Sequence, residues 1–462
     1  MSDGLVRTYD PAHPDREVAA VAATDESALD RMLAAAVEAG PGWASSPPAR
    51  AAALVAFADS LAAHADEAAD LMIREVGKPV AEARGEAARA VAIARYYAQA
   101  ALDPEGSLMP SPDGRSRLSS RRVPLGVVAA VSPWNFPLAI PVWKALPALA
   151  WGNTVVLKPA RPATGTAALL ARCAAETLPP GVLSMAVISG QRAGEMLDDP
   201  RIAAATFTGS TEVGLAVVGR LAARGAPGQA EMGGHNPAIV LEDANIEVAA
   251  GAILSGAMGF AGQKCTATRR AIAVGAAHTP LCEALAEGLA SLAVGDPRDE
   301  RTVVGPLIDA DAATEVRSAR AGALAAGGTE LGTGRTPPAE GHYVRPAVVA
   351  LDDPTAHANQ EETFGPLLTV LRAPDAEAAV AIANGTRFGL VGAVHGSDLA
   401  RATELAERLH CGLQRVNAPT TGVDYFAPFG GDGHSGFGPR EQGRAAREFF
   451  TRTRTLMVTP AP

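Results

Sequence analysis

The stretch Phe207-Thr208-Gly209-Ser210-Thr211-Glu212-Val213-Gly214 reads as a β-strand that passes through one glycine straight into a helix. Residues 203–208 are apolar and strand-prone, and 210–224 carry apolar side chains at helical spacing. Such a junction leaves the first N–H groups of the helix unpaired, ready to receive a phosphate. The same alternation extends to both sides. Residues 127–132, 154–158, 184–189 and 238–241 read as further short strands, with helices at 138–150, 164–178 and 192–197 between them. Strands alternating with helices imply a parallel, doubly wound sheet, which binds ligands at the carboxyl ends of its strands. Lys158-Pro159-Ala160-Arg161 is a second strand exit of this kind. The one Gly-x-Gly-x-x-Gly match, Gly431 to Gly436, follows no clear strand and opens no helix, so a dinucleotide would have to bind in a variant way.

Further out, the pattern from 19 to about 103 is helical, with runs at 26–39, 49–76 and 80–101. Gly40-Pro41-Gly42 and Gly77-Lys78-Pro79 separate these runs, and the second reads as a helix stop followed by a new start. Residues 104–120 are rich in Pro, Gly and Ser, as in a boundary or an exposed ribbon. After 265 a second α/β region follows, with strands at 271–274, 344–351, 367–372 and 390–395, and helices at 280–292, 310–326, 375–384 and 398–409. The tail 451–458 alternates polar and strand-prone residues, as an edge strand that pairs with another subunit would.

With 462 residues, 48% hydrophobic and 19% charged, the chain is long enough for two or three domains with large cores. Its net charge of -10, with both signs interspersed, offers no basic stripe for nucleic acid and no polybasic anchor for a membrane. No uncharged apolar run reaches bilayer length, and residues 1–7 carry no secretion signal. Four widely spaced cysteines without a Cys-x-x-Cys pair fit a reducing compartment better than a disulfide framework or a zinc site, so the cytoplasm is expected and no metal is.

Cys265 differs from the other three. Cys173, Cys282 and Cys411 fall in or at the end of apolar helical patterns, where cysteine is a small packing residue. Cys265 sits in Gly259-Phe260-Ala261-Gly262-Gln263-Lys264-Cys265-Thr266-Ala267-Thr268, among glycines and small polar residues. A nucleophilic thiolate needs a partly exposed, electropositive setting, and Lys264 is a cation beside it.

Seven motifs, in order and spacing, resemble the NAD(P)-dependent aldehyde dehydrogenase superfamily. They are Pro133-Trp134-Asn135-Phe136-Pro137, Lys158-Pro159, Phe207 to Gly214, Glu231-Met232-Gly233-Gly234-His235-Asn236-Pro237, Gly262-Gln263-Lys264-Cys265, Glu361-Glu362-Thr363-Phe364-Gly365-Pro366 and Pro428-Phe429-Gly430-Gly431. The resemblance implies that Cys265 attacks the aldehyde, giving a thiohemiacetal that becomes a thioester on loss of hydride. It implies that the Asn135 amide and the Cys265 backbone N–H hold the oxyanion, and that Glu231 activates the hydrolytic water. For the cofactor it implies Trp134, Lys158, Arg161, Gly209, Ser210, Glu362 and Phe364. It matches Phe136, Trp143 and Phe429 to a substrate tunnel, and Lys144 to a proton exit path. The implied fold is a dinucleotide-binding domain from 1–105 and 125–236, a catalytic domain from 237–450, and an oligomerisation ribbon from 106–124 and 451–462, in a homodimer or homotetramer.

Where NAD-preferring relatives carry a ribose-binding glutamate, this chain has Arg161, so NADP is expected in preference to NAD. The usual lysine after Pro-Phe-Gly-Gly is replaced by Gly433. Within the superfamily, residues 138–144, 265–268, 421–425 and 438–443 look most like 2-oxoglutarate semialdehyde (2,5-dioxopentanoate) dehydrogenases. An oxo-acid tail calls for a cation; Arg269 and Arg270 are near Cys265 in sequence but read better as a solvated strand start. Other semialdehyde or aliphatic aldehyde dehydrogenases and a CoA-acylating enzyme are the nearer alternatives. A cysteine acyltransferase or hydrolase and a silent binding relative are the more distant ones.

Overall fold

The structure is a computed structural model that describes residues 4–332 and 334–461, so Met1, Ser2, Asp3, Thr333 and Pro462 lie outside the described residues. Two mainly parallel sheets dominate it. The first has six strands in the order Gly436–Phe437, Gly228–Glu231, Ile202–Thr208, Val127–Val131, Thr154–Lys158, Leu183–Met185, with Gly436–Phe437 antiparallel. The strand Val127–Val131 is first in sequence and lies between Thr154–Lys158 and Ile202–Thr208, so the chain reverses direction of travel there. That reversal opens a crevice at the carboxyl ends, where Ser132 and Gly209 leave the sheet. All five residues of Val127–Val131 are buried, as expected for a strand covered on both faces by helices.

The second sheet has seven strands in the order Thr329–Glu330, Ala347–Ala350, Leu367–Ala373, Thr268–Val274, Asn236–Val240, Val391–His395, Leu413–Val416, antiparallel only at Thr329–Glu330. Both doubly wound units expected from the alternation are present. Residues 232–235 join Glu231, the last residue of a first-sheet strand, to Asn236, the first of a second-sheet strand. The carboxyl ends of one sheet therefore face the amino ends of the other across this segment.

A three-stranded antiparallel ribbon of Gly106–Met109, Arg117–Pro124 and Thr451–Val458 projects from the body, its outer strands exposed. Two expectations fail near the N-terminus. Leu5–Asp10 and His13–Ala22 form a hairpin, so residues 19–22 are strand, not helix. The helix Glu26–Ser45 runs through Gly40-Pro41-Gly42 without stopping. Burial of Leu29, Leu33, Ala36 and Trp43 holds it, with Trp43 Nε1 donating to the Leu149 carbonyl at 2.9 Å beyond the break. That anchorage offsets the cost of about 3 kcal/mol for a mid-helix proline. Gly77, by contrast, adopts φ 67° and ends its helix as the sequence predicts.

Candidate active site

Cys265 lies three residues before the strand Thr268–Val274, at the amino end of the second sheet. The backbone leading to it is strained: Phe260, Ala261 and Gly262 have φ of 52°, 51° and 69°. Left-handed conformations at two non-glycine residues cost about 1–3 kcal/mol each and persist only where packing dictates them. Here Phe260 is fully buried with Val76 and Ala163. The half-buried thiol is not in an electropositive setting. Burial pushes its pKa up to about 12, with Glu362 and Glu231 adding to the rise. Lys264 gives no relief, because its ammonium pairs with Glu82 at 2.8 Å.

Asn135 is buried beside this loop, its side-chain amide donating to the Gln263 carbonyl at 3.0 Å. One amide N–H stays free for a ligand. Its own carbonyl accepts from Lys78 Nζ at 2.7 Å. Lys78, in the segment read as a simple helix restart, is fully buried, paired with Glu86 and seated 4.0 Å from the centre of the Phe136 ring. Glu86 in turn accepts the N–H groups of Leu138 and Ala139, both at 3.0 Å, and so caps the helix that follows Asn135. A buried ion pair thus fixes Asn135 from behind.

Glu231 is buried and accepts the Gly431 N–H at 3.2 Å. Its pKa is raised well above the ordinary carboxylate range, first by burial and next by the nearby Glu441. Lys144 is fully buried, donating to Thr206 Oγ1 and the Phe207 carbonyl at 3.0 Å and to Glu441. Glu441 also accepts Trp143 Nε1 at 2.8 Å. The Trp143 ring lies 5.8 Å from that of Phe429, and Phe429 packs in the apolar cluster that includes Cys265.

On the other side of Cys265 two cavities of about 420 and 400 Å³ share Pro133, Trp134, Thr208, Gly209 and Ser210, forming one cleft along the carboxyl ends of the first sheet. Ser210 occupies the N-cap position of the helix Thr211–Ala222, yet its side chain makes no cap bond. The N-terminal N–H groups remain available for an anion. Glu362, Phe364 and Cys265 line the inner end, with Trp134 edge-on to Phe364 at 5.7 Å. Glu362 Oε1 is buried without a partner, and burial raises its carboxyl to about 7. Lys158 lines the outer cavity and, with Arg161 and Arg192, a further one of about 350 Å³. The uncapped helix, the three cations and the orphaned Glu362 oxygen fit a dinucleotide lying along the cleft.

The aldehyde dehydrogenase family model matches residues 2–456. The chain belongs to the aldehyde dehydrogenase family. It is 38% identical to the alpha-ketoglutaric semialdehyde dehydrogenase of Bacillus subtilis (strain 168), over 100% of this chain and 96% of that protein. It is 35% identical to the alpha-ketoglutarate semialdehyde dehydrogenase of Haloferax volcanii, over 96% and 94%. The crystal structure of an NAD-dependent aldehyde dehydrogenase from Sinorhizobium meliloti superposes with a TM-score of 0.96 at 32% identity, covering 100% of this chain and 93% of that one.

In this aldehyde dehydrogenase several residues that shape the site were not legible as such. Arg269 and Arg270 are not a solvated strand start; both are buried. Arg269 donates to the carbonyls of Gly262 at 2.6 Å and Gly365 at 2.8 Å, tying the Cys265 loop to the Glu362–Phe364 loop. Arg270 holds the carbonyls of His235, Ile382 and Ala383. Glu441 and Lys78 carry no local signal of their roles, because the partners that define them are 297 and 57 residues away in sequence. Arg192 had no signal beyond its charge. Gly433, where a lysine was expected, pairs with Phe388 and has φ 56°. Among the described residues, histidine contacts to sulfur occur at Cys173 and Cys282, and none is found at Cys265.

Proposed function

We propose that this aldehyde dehydrogenase oxidises the aldehyde end of an oxo-acid semialdehyde of the 2-oxoglutarate semialdehyde type, using NADP⁺ in preference to NAD⁺, and frees the acid by hydrolysis. Cys265 and Asn135 line the inner end of the dinucleotide-shaped cleft, and the Glu231 carboxylate lies close enough to raise the Cys265 thiol; that convergence carries the reading. The Cys265 thiol gives its proton to water in the cleft as its sulfur bonds to the carbonyl carbon, and the carbonyl electron pair moves to oxygen, where the free Asn135 N–H and the Cys265 backbone N–H stabilise it. The nicotinamide ring, when bound, supplies the acceptor of the hydride that leaves this carbon. Glu231, its proton affinity raised by burial, takes a proton from water; the hydroxide adds to the thioester and the C–S bond breaks. Lys144 and Glu441 provide onward partners for that proton. Lys158, Ser210 and Glu362 hold the cofactor, with Gly209, Trp134 and Phe364 beside it. Phe136, Trp143 and Phe429 wall the substrate side.

The substrate class is supported by the relatives from Bacillus subtilis and Haloferax volcanii. NADP is supported by Arg161, exposed at the mouth of the cavity it shares with Lys158 and Arg192; a guanidinium fork suits a 2′-phosphate, which a glutamate would repel. The Sinorhizobium meliloti neighbour is NAD-dependent. We assign 1–105 with 125–236 to cofactor binding, 237–450 to catalysis, and 106–124 with 451–462 to assembly as a homodimer or homotetramer. Leu108, Leu456, Met457 and Val458 on the ribbon are exposed apolar residues that a second subunit would cover. Four free cysteines suit the cytoplasm.

The test follows cofactor reduction with an aldehyde panel and NADP⁺ or NAD⁺. Turnover that Cys265→Ala abolishes is expected, with higher kcat/KM for NADP⁺, and Arg161→Glu should move the preference towards NAD⁺. A requirement for coenzyme A would overturn the hydrolytic step, and a clear NAD⁺ preference would overturn the cofactor assignment.

A further inference from the structure

Glu82, Glu86 and Arg89 on the helix Val80–Ala100 are spaced by four and three residues, so they share one face. Each reaches a different part of the substrate side of the site. Glu82 pairs with Lys264, the neighbour of Cys265. Glu86 holds Lys78 and the start of the helix after Asn135. Arg89 donates through Nη1 to the carbonyl of Val423. Val423 packs in the cluster of Leu390, Val391 and Phe429 that also contains the half-buried Cys265. The face therefore runs from the neighbour of the nucleophile to the apolar wall against which its sulfur rests.

Arg89 is half-buried and, among the described residues, has no carboxylate partner, whereas Arg84 and Arg95 on the same helix pair with Glu300 and Asp59. A guanidinium carries five N–H donors, and the bond to Val423 uses one. Of the other cations around this wall, Arg440 is committed to Gly431 and Asp432, Arg444 to Asp103 and Lys78 to Glu86, while Arg415 holds the Gly422 carbonyl beside Val423 and is the one rival. Arg269 and Arg270, the arginines nearest to Cys265 in sequence, are bound to backbone carbonyls.

We infer that Arg89 receives the carboxylate at the far end of the substrate, through the N–H groups that the Val423 carbonyl leaves free, and so selects acid-tailed aldehydes. This rests on the oxo-acid semialdehyde reading above. A forked guanidinium matches a carboxylate in two parallel hydrogen bonds, and a half-buried position strengthens them relative to bulk water.

The test compares kcat/KM for 2,5-dioxopentanoate and for pentanal, a neutral aldehyde of equal length, in wild type, Arg89→Met, Arg89→Lys and Arg415→Met. Arg415 holds the neighbouring Gly422 carbonyl at 2.9 Å and so serves as a control for the shape of the loop. Arg89→Met should lower the acid-to-neutral ratio about thirtyfold, mostly through KM, as expected for loss of a charge-assisted pair. Arg89→Lys should recover part of it, and Arg415→Met should leave the ratio within about threefold. Equal losses on both substrates in Arg89→Met, or a matching fall of the ratio in Arg415→Met, would overturn the inference and leave the substrate class standing. A wild-type enzyme with no preference for the acid-tailed aldehyde would overturn the substrate class itself, and the role of Arg89 with it.

Discussion

The two sheets meet the site with opposite ends, and they hold their functional groups by opposite means. The first sheet presents carboxyl ends, where strands run through Ser132 and Gly209 into helices; its cleft is bounded by small residues and an uncapped helix N-terminus. The second presents amino ends. There Cys265 and its surroundings are held by buried side chains that grip backbone carbonyls: Arg269 on Gly262 and Gly365, Arg270 on His235, and Asn236 on Cys265 and Ala267 at 2.7 and 2.8 Å. Binding a large cofactor tolerates a backbone cradle. Setting a sulfur against a carbonyl carbon requires sub-ångström placement, and dense buried bonding supplies it.

If that contrast is sound, substitutions in the buried bonding around Cys265 should cost far more than those along the open cleft. Glu231→Gln should lower steady-state turnover by about 10²–10⁴ while the first equivalent of reduced cofactor still forms rapidly, which stopped-flow absorbance would resolve; loss of that burst would move Glu231 to the attack step. Lys78→Met, remote from the ligand, should lower kcat about a hundredfold through Asn135. It should also cost about 3–5 kcal/mol in urea unfolding, because Glu86 is left buried without its cation. Adding Glu86→Gln should restore much of the stability but not kcat, and recovery of both would show that Lys78 only supports folding.

Glu362→Gln probes the electrostatics. The carboxylate is ionised above about pH 7 and raises the thiol, so its neutralisation should lower the pKa of Cys265. The pH profile of iodoacetamide labelling at Cys265 should shift downward by roughly one unit. An unchanged or upward profile contradicts the charge coupling. The smallest effect is expected at the cleft: Ser210→Ala should change KM for the cofactor by less than about threefold, since its side chain makes no cap bond and backbone N–H groups face the phosphate site. A tenfold rise would mean that Ser210 holds the cofactor through its hydroxyl and not through the helix end that it opens.

Much of the fold was visible in the chain itself. Period-two and period-3.6 patterning around 207–214 locates the strands and helices of both sheets, because burial on both faces selects β-branched and small apolar residues. The hairpin at 5–22 escaped because its strands are stabilised by docking, and Glu26–Ser45 was expected to break at Pro41 because the anchor that carries it onward, Trp43 on Leu149, spans 106 residues. The Gly431–Gly436 segment forms two short strands and opens no helix, as the absence of a preceding strand pattern predicts.

The sequence by itself determined the family, the two α/β units, and the candidacy of Cys265, Glu231 and Asn135, because each belongs to a local motif whose residue types suit one chemistry. Tertiary structure alone decided that carboxyl ends of one sheet oppose amino ends of the other, that Lys78 and Arg269 are buried struts, and that the thiol rests protonated among carboxylates. The physical reason is that burial and electrostatic neighbourhood arise between residues far apart in the chain, and a linear pattern records only the groups adjacent within a turn or a strand.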